Sequence, residues 1–277
     1  MKIRLGFLAL MILLGAASIG KAIYDTNVFK VNHVNLESSE LPAGEELEVL
    51  QITDLHNKVF GDDNEKLIRT AEELNPDLIV ITGDLVDHST KQFQQVFDLS
   101  EKLKAIQKDV YYVSGNHEWE NEKTEELFQG LRERNVTMLD NTHVTYQRED
   151  TKIHIAGVAD SSTDHENIKQ AFAGIDNNAY TIFLSHSPNI VTKYDDIPAD
   201  LILSGHTHGG QVRFPFIGAV VAPDQGLFPD LTKGVYQVDA GSTLYIDSGL
   251  GTSIAPVRFW NQSQMTLLTL SGSNEAD

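Results

Sequence analysis

The order of apolar and polar positions divides the chain into three stretches. Leu5 to Gly20 is an uncharged run rich in Leu, Ile, Phe and Met, preceded by Lys2 and Arg4, with Gly15, Ala16, Ala17 and Ser18 gathered in its second half. A cationic start followed by an unbroken apolar run is what a membrane-targeting segment needs. As a helix it measures ~24 Å at about 1.5 Å per residue, and it crosses a bilayer only if Lys21 snorkels and Ala22, Ile23 and Tyr24 lengthen it. Residues 1–24 are therefore read as a signal-anchor, or as a signal peptide cut after Ala22; Lys21 between the small residues Gly20 and Ala22 favours retention. The positive flank stays in the cytoplasm, so the rest of the chain is expected outside. It is then held to the cell membrane by a single pass or, after cleavage, is secreted or wall-associated.

Residues 25–44 read as a connector with a first strand, carrying isolated apolar residues at Val28, Val31 and Val34. From Glu45 the pattern becomes strand, loop, helix, repeated. Leu47 to Thr53 predicts a strand; Glu65 to Leu74 sets Leu67, Ile68, Ala71 and Leu74 on one helical face, and Asn75-Pro76 ends it. Leu78 to Thr82 is apolar almost throughout, the pattern of a strand covered on both faces. Phe93, Val96, Phe97, Leu103 and Ile106 follow a helical period, Val110 to Val113 is another strand, and Leu127, Phe128 and Leu131 mark a third helix. Short strands at Ile153–Val158, Thr181–Ser185 and Leu201–Ser204 come next, then about 60 residues rich in Gly and strand formers. The alternation predicts an α/β domain over 45–270, with a tail at 271–277.

Composition narrows the chemistry. At 277 residues and 41% hydrophobic, the chain has ample material for a core. It has no cysteine, which excludes disulfide scaffolds, thiolate nucleophiles and Cys-based zinc sites. Lys+Arg number 21 against 40 Asp+Glu, a formal charge of −19 with no basic patch, so general nucleic-acid binding is not expected unless a metal offsets the charge.

The chemistry-bearing residues sit where strands end. Leu47–Thr53 runs into Asp54-Leu55-His56, Leu78–Thr82 into Gly83-Asp84-Leu85-Val86-Asp87, and Val110–Ser114 into Gly115-Asn116-His117-Glu118. Thr181–Ser185 ends at His186, and Leu201–Ser204 at Gly205-His206-Thr207-His208. Loops leaving the carboxyl ends of strands in an α/β sheet converge on one edge, where ligands bind. The i, i+2 spacing of Asp54/His56 and of His206/His208 sends both side chains of a pair to the same side of a locally extended backbone. Gly83, Gly115 and Gly205 precede the polar residues where a small residue permits a sharp turn and close approach.

All five blocks occur together and in order, and from about Glu45 to Leu270 the chain resembles the calcineurin-like metallophosphoesterase family, in its membrane-anchored or exported branch. The resemblance implies a layered sandwich of mixed β-sheets flanked by helices, with a metal site at the strand C-terminal ends. It implies two divalent ions, Mn, Fe, Zn or Co, which suit a sulfur-free N/O ligand set. Asp54, His56 and His208 would hold the first, Asn116, His186 and His206 the second, with Asp84 bridging and a bridging hydroxide as the nucleophile. His117 is implied to protonate the leaving group, oriented by Asp87. The expected substrate is a phosphate ester: a phosphomonoester, phosphodiester or pyrophosphate.

Departures and bystanders are also readable. Phosphoprotein phosphatases of the family often carry Arg after the position of Asp87; here it is His88, a candidate substrate contact or an exposed loop residue. Arg213 is a second candidate phosphate contact, with a surface salt bridge as the alternative. Glu118 is read as a structural acid, because a further ligand carboxylate would add negative charge beside the phosphate. His33, His143, His154 and His165 lie outside the strand-end blocks and are read as surface or internally satisfied residues, and Asp160 has no implied ligand role. Two alternatives stay open: a non-catalytic metal-binding module, which loss of ligands would mark, and an enzyme specialised on a lipid- or polymer-linked pyrophosphate.

Overall fold

The structure, a computed structural model, describes residues 2–148, 151–176, 179–238, 241–253 and 255–273. Residues 274–277 of the expected tail lie outside the described residues. Helix α1 (Lys2–Asn27) stands apart from the rest, and its apolar side chains from Leu5 to Tyr24 are more than half exposed. Over Arg4–Asn27 it has a mean hydropathy of 1.9 and is long and apolar enough to cross a membrane. The remainder is a four-layered α/β sandwich.

The first sheet contains β1 (Lys30–Ser38), β2 (Glu46–Ile52), β3 (Leu78–Thr82), β4 (Val110–Val113) and β5 (Thr137–Met138), with β16 (Gln264–Gly272) inserted between β1 and β2. β2 to β5 are parallel, and β16 is antiparallel to β2. The second sheet runs β14 (Gly234–Gln237), β15 (Thr243–Ile246), β9 (Leu201–Ser204), β8 (Thr181–Leu184), β7 (Thr151–Gly157), β6 (Thr142–Arg148), parallel except at its two edges. Two short ribbons project between β9 and β14: β10 (Arg213–Phe214) with β11 (Gly218–Ala219), and β12 (Val221–Ala222) with β13 (Gly226–Leu227).

Period-two alternation fixes which side chains meet which layer. Ile79 and Ile81 of β3 face helices α2 (Glu65–Leu74), α3 (Gln94–Ile106) and α5 (Thr124–Glu133), meeting Leu67, Leu99, Leu103 and Leu131. Leu78 and Val80 face the second sheet, where Ile155, Ile182 and Leu203 complete the central core. The outer face of that sheet, with Phe183, Ile202 and Ile246, is closed by Ile190 and Ile168 from short helices. These side chains are fully buried in the strands, and each contributes roughly 1.5–3 kcal/mol. Asn75 adopts φ +47° at the end of α2 and Pro76 follows, so the helix stops where the sequence predicts.

The register brings the carboxyl ends of the two sheets together. Gln51 Nε2 of β2 donates to Thr82 Oγ1 of β3 at 2.9 Å and to the Ser204 carbonyl of β9 at 3.0 Å, joining the sheets directly beneath the loops that carry the polar blocks. The stretch 25–44 contains the last residues of α1 and the edge strand β1, which pairs along its whole length with β16. Only Val28 and Phe29 separate helix from strand.

Candidate functional site

The strand ends deliver the polar residues on tight turns rather than on extended chain. Asp54, His56, Asp84, His206 and His208 all have φ between 47° and 68°. Non-glycine residues in this left-handed region cost of order 1–3 kcal/mol each, a strain that clusters at functional sites. The turns replace the extended i, i+2 geometry expected for Asp54/His56 and His206/His208. As a result, His206 and His208 diverge into two separate groups, whereas Asp54 and His56 stay together. Close approach explains two of the glycines: a Cβ at Gly115 would strike the Asp84 carboxylate, and one at Gly205 would strike Thr53 and the Asp54 carboxylate.

Two clusters result. Asp54, His56 and His208 have ligand atoms within 4.8 Å of one another, and so do Asp84, His186 and His206. In the first, His208 Nε2 lies 3.3 Å from Asp54 Oδ1 and 3.1 Å from His56 Nε2. In the second, His186 Nε2 lies 3.2 Å from Asp84 Oδ2 and 3.1 Å from His206 Nδ1. Asp84 joins them, its Oδ2 also standing 3.5 Å from His56 Nε2. Asn116 begins the one-turn helix α4 (Asn116–Trp119), borders the same cleft, and has a buried Oδ1 with no hydrogen-bond partner.

The donor set fits divalent cations. Burial, reinforced by His56 and Arg258, holds His208 well below the ordinary imidazole range, and burial pushes His56 down to about 4. Both rings are therefore neutral at pH 7 with a nitrogen lone pair free for a ligand bond. Burial, with the Asp84 charge adding to it, pushes Asp54 up to about 6. Burial acts to raise Asp84, but His186, His56 and His117 together hold it low; in return Asp84, with Asp54 and Asp160, holds His186 well above its usual value against the effect of burial. Two buried carboxylates in adjoining clusters call for positive charge beside them, and the imidazole nitrogens that face each other at 3.1 Å could offer lone pairs to a cation.

Partners on the far sides of the rings fix the tautomers. His186 Nδ1 donates to the Thr82 carbonyl at 2.7 Å, which leaves Nε2 for the cluster. His206 Nε2 donates to Asp224 Oδ2 at 2.7 Å, which leaves Nδ1. Arg258 is buried beside His208, its Nη2 3.4 Å from His208 Nδ1, and donates to the Ser248 and Gly251 carbonyls; as a donor-only group it supplies positive charge there and, unlike the other two partners, does not place the ring proton away from the cluster. Such outer partners orient ligands and tune their basicity. Asp224 and Arg258 are not apparent from the sequence: Asp224 lies in the turn between the two-residue strands β12 and β13, and Arg258 in an irregular segment, so neither follows a strand long enough to be read.

His117 borders the cleft, and its backbone N–H donates to Asp84 Oδ1 at 3.0 Å. Its ring Nδ1 accepts the His88 amide at 3.1 Å, while Asp87 Oδ2 is 3.9 Å away. The His88 amide, rather than the Asp87 carboxylate, is thus the hydrogen-bond partner at Nδ1, and it directs the ring proton to Nε2. Asp87 instead accepts from the Ser89 amide and hydroxyl. His88 is exposed at the cleft rim. Glu118 is buried and accepts amides of Asp84, Leu85, Val86 and Gly115, which moulds the Asp84 turn; burial and the Asp84 charge push it up to about 8.

Other residues fall away from the cleft. Arg213 donates through Nη1 to the Gly209 carbonyl and Thr232 Oγ1 and borders a groove with Phe214 and Trp260, so it packs a loop instead of facing a phosphate. Asp160 accepts from Ser162 Oγ and from the Thr163 amide and hydroxyl; it shapes a loop whose Ser162 and Thr163 line the cleft. His165 stacks on Trp119 at 3.8 Å, and His143 and His154 hydrogen-bond to Ala171 and Thr145.

Among curated proteins, the chain is 31% identical to the "Uncharacterized metallophosphoesterase YkuE" of Bacillus subtilis, over 97% of this chain and 95% of that protein. It is 30% identical to the "Uncharacterized metallophosphoesterase YkoQ" of the same organism, over 94% and 97%. Among solved structures, the NAD nucleotidase of Haemophilus influenzae superposes with a TM-score of 0.49 at 16% identity, over 75% of this chain and 51% of that one, so the chain spans about half of that protein's length. The family model for calcineurin-like phosphoesterases matches residues 47–210, which contain both clusters and more than half of the sequence, and the chain therefore belongs to this family of metal-dependent phosphoester hydrolases.

Proposed function

We propose that the protein is a membrane-anchored phosphoesterase with a dinuclear centre, hydrolysing a phosphomonoester, phosphodiester or pyrophosphate on the outer face of the cell membrane. Asp54, His56 and His208 would hold one ion, Asn116, His186 and His206 the other, and Asp84 would be shared between them. The observation that carries this reading is the position of Asp84 Oδ2, 3.5 Å from His56 Nε2 and 3.2 Å from His186 Nε2, with one neutral-imidazole cluster on its near side and a second cluster beyond it. Two divalent ions such as Mn, Fe, Zn or Co supply Lewis acidity, neutralisation of phosphoryl charge and an acidified water as the nucleophile.

The chain's own residues do the rest. His117 would act from its imidazolium form, giving the Nε2 proton to the leaving oxygen and returning to the neutral ring; because Nδ1 accepts the His88 amide in the neutral ring, a proton has to be taken up at the ring before each turnover. Asp87, at 3.9 Å, is near enough to stabilise the imidazolium by charge without a direct hydrogen bond. Glu118 holds the Asp84 turn rigid, and Asp224 keeps His206 in the ligating tautomer. The open cleft of about 310 Å³ takes a phosphate with a substantial leaving group. Lys2 and Arg4 keep the N-terminus inside, so the domain faces outward.

Elemental analysis of the full chain purified in detergent tests the centre. We predict two divalent ions per chain at saturating metal, and fewer in Asp84→Asn. One tightly held ion, unaffected by that substitution, would remove the shared carboxylate from the scheme.

A further inference from the structure

The ribbons between residues 213 and 228 carry apolar side chains that project into solvent. Phe216 is 108% exposed, and Ile217, Leu227 and Phe228 are 62, 71 and 67% exposed. Trp260 lines a groove with Phe214 and Phe216, and the Lys21 ammonium of α1 stands 5.3 Å from the Trp260 ring. The part of the patch formed by Phe214, Phe216 and Trp260 is therefore continuous with the foot of the only helix among the described residues long and apolar enough to cross a membrane. Exposed apolar patches of this kind mark membrane or partner surfaces.

The domain has no room to move away from that helix. Two residues, Val28 and Phe29, link α1 to β1, a reach of at most ~7 Å. The helix end is also fastened: the Ser263 amide donates to the Asp25 carbonyl at 2.9 Å, and the Arg258 amide donates to Thr26 Oγ1 at 2.8 Å. A bilayer around α1 must lie against Trp260 and the ribbon tips. With a net charge of −19 the molecule has no general attraction for anionic headgroups, so apolar burial is the force available.

Behind the β12–β13 ribbon lies a cavity of about 320 Å³ lined by Val212, Val221, Ala222 and Ala255. His208, Pro223 and Ser253 line both this cavity and the metal cleft. The volume falls within the ~300–1,000 Å³ of small-molecule sites, and an apolar chamber opening beside a phosphate-binding cleft is shaped for an amphiphile.

We propose that the substrate is a membrane-resident lipid phosphate: the ribbon tips and Trp260 seat in the bilayer at the foot of α1, the cavity beside His208 takes hydrocarbon, and the phosphate lies in the cleft. This rests on the phosphoesterase reading of the cleft and adds the substrate class to it. The test uses the full chain in phosphatidylcholine vesicles, loaded with whichever of Mn, Fe, Zn or Co gives the fastest turnover. Monomeric alkyl phosphates from ethyl to decyl probe the cavity, and kcat/KM is expected to climb about tenfold or more along the series, as burial of methylenes requires. Phosphatidic acid in the vesicles probes the seat. In the double substitution Phe216→Ser, Phe228→Ser, its turnover is expected to fall about tenfold, with ethyl phosphate unchanged within about twofold. A flat alkyl series, or equal loss on both substrates, overturns the proposal. A variant that changes only the oligomeric state overturns it too, and makes the patch a contact between copies. Failure to cleave any ester with any of the four metals would instead refute the reading of the cleft itself.

Discussion

Removing the His117 ring leaves the hydrogen bond to Asp84 Oδ1 in place, since the His117 backbone amide and not the imidazole makes it, and takes away the ring's edge-on contact with His56. We predict that His117→Ala keeps its metal while turnover falls ~10²–10⁴-fold, the usual worth of a general acid, with a smaller loss for esters of very acidic leaving groups. Steady-state kinetics beside elemental analysis decides it, and loss of metal together with activity would make the ring a ligand. Asp224→Ala acts through His206 instead: with Nε2 unpartnered the tautomer is no longer fixed, and metal affinity is expected to drop ~10–100-fold in a calorimetric titration. Unchanged affinity would reduce Asp224 to a surface ion pair. The two residues differ in how they can be found. His117 follows a strand and a glycine, a position the sequence pattern marks. Asp224 lies in Pro223-Asp224-Gln225-Gly226, which reads as any turn, and only the fold of the ribbons brings it to His206.

At the level of elements, burial periodicity was informative wherever an element was long enough to have a period. α2 occupies the residues its apolar face predicts, and β3 is buried at every position. β5 and the ribbons, at two residues per strand, have no period to read. β16 falls in the terminal stretch read only as rich in strand formers, and its place between β1 and β2 depends on partners from the other end of the chain, which alternation cannot name. The loop after β5 contributes a tie that bears on stability. Asp140 accepts the Ser114 amide at 2.9 Å and the Ser114 hydroxyl at 2.8 Å, holding the end of β4 just before Gly115 and Asn116. Burial pushes Asp140 up to about 6 from an ordinary 3.8, a change of order 3 kcal/mol. The folded chain thus holds this proton more tightly than the unfolded one, so the contribution is full below about pH 4 and is lost as pH rises through about 6. We predict that Asp140→Asn, compared with the parent by urea unfolding in detergent between pH 4 and 7, cancels that decline. Parallel curves for the two proteins would refute the assignment.

Considered as a whole molecule, the charges are divided unevenly between the two sides of the apolar helix. Lys2 and Arg4 precede it, and the domain that follows carries most of the 40 acidic residues. Orientation is governed by the cationic flank and scarcely by acidic residues in a large downstream domain, and on this rule the proposed topology has the N-terminus inside and the cleft facing outward. In that proposed topology the short link and the fastened helix end would keep the domain close to the outer leaflet whether the lipid or a soluble ester is the substrate. The absence of cysteine is compatible with an oxidising exterior, where no thiol has to be protected. Protease added to intact cells with the outer face of the membrane accessible should therefore degrade the domain, together with a tag placed after Asp277, while a cytoplasmic marker survives. Cleavage of the segment after Ala22 would release the domain into the medium and still leave it accessible. A tag protected until lysis would reverse the orientation, and would move both the cleft and its phosphate ester to the cytoplasmic leaflet.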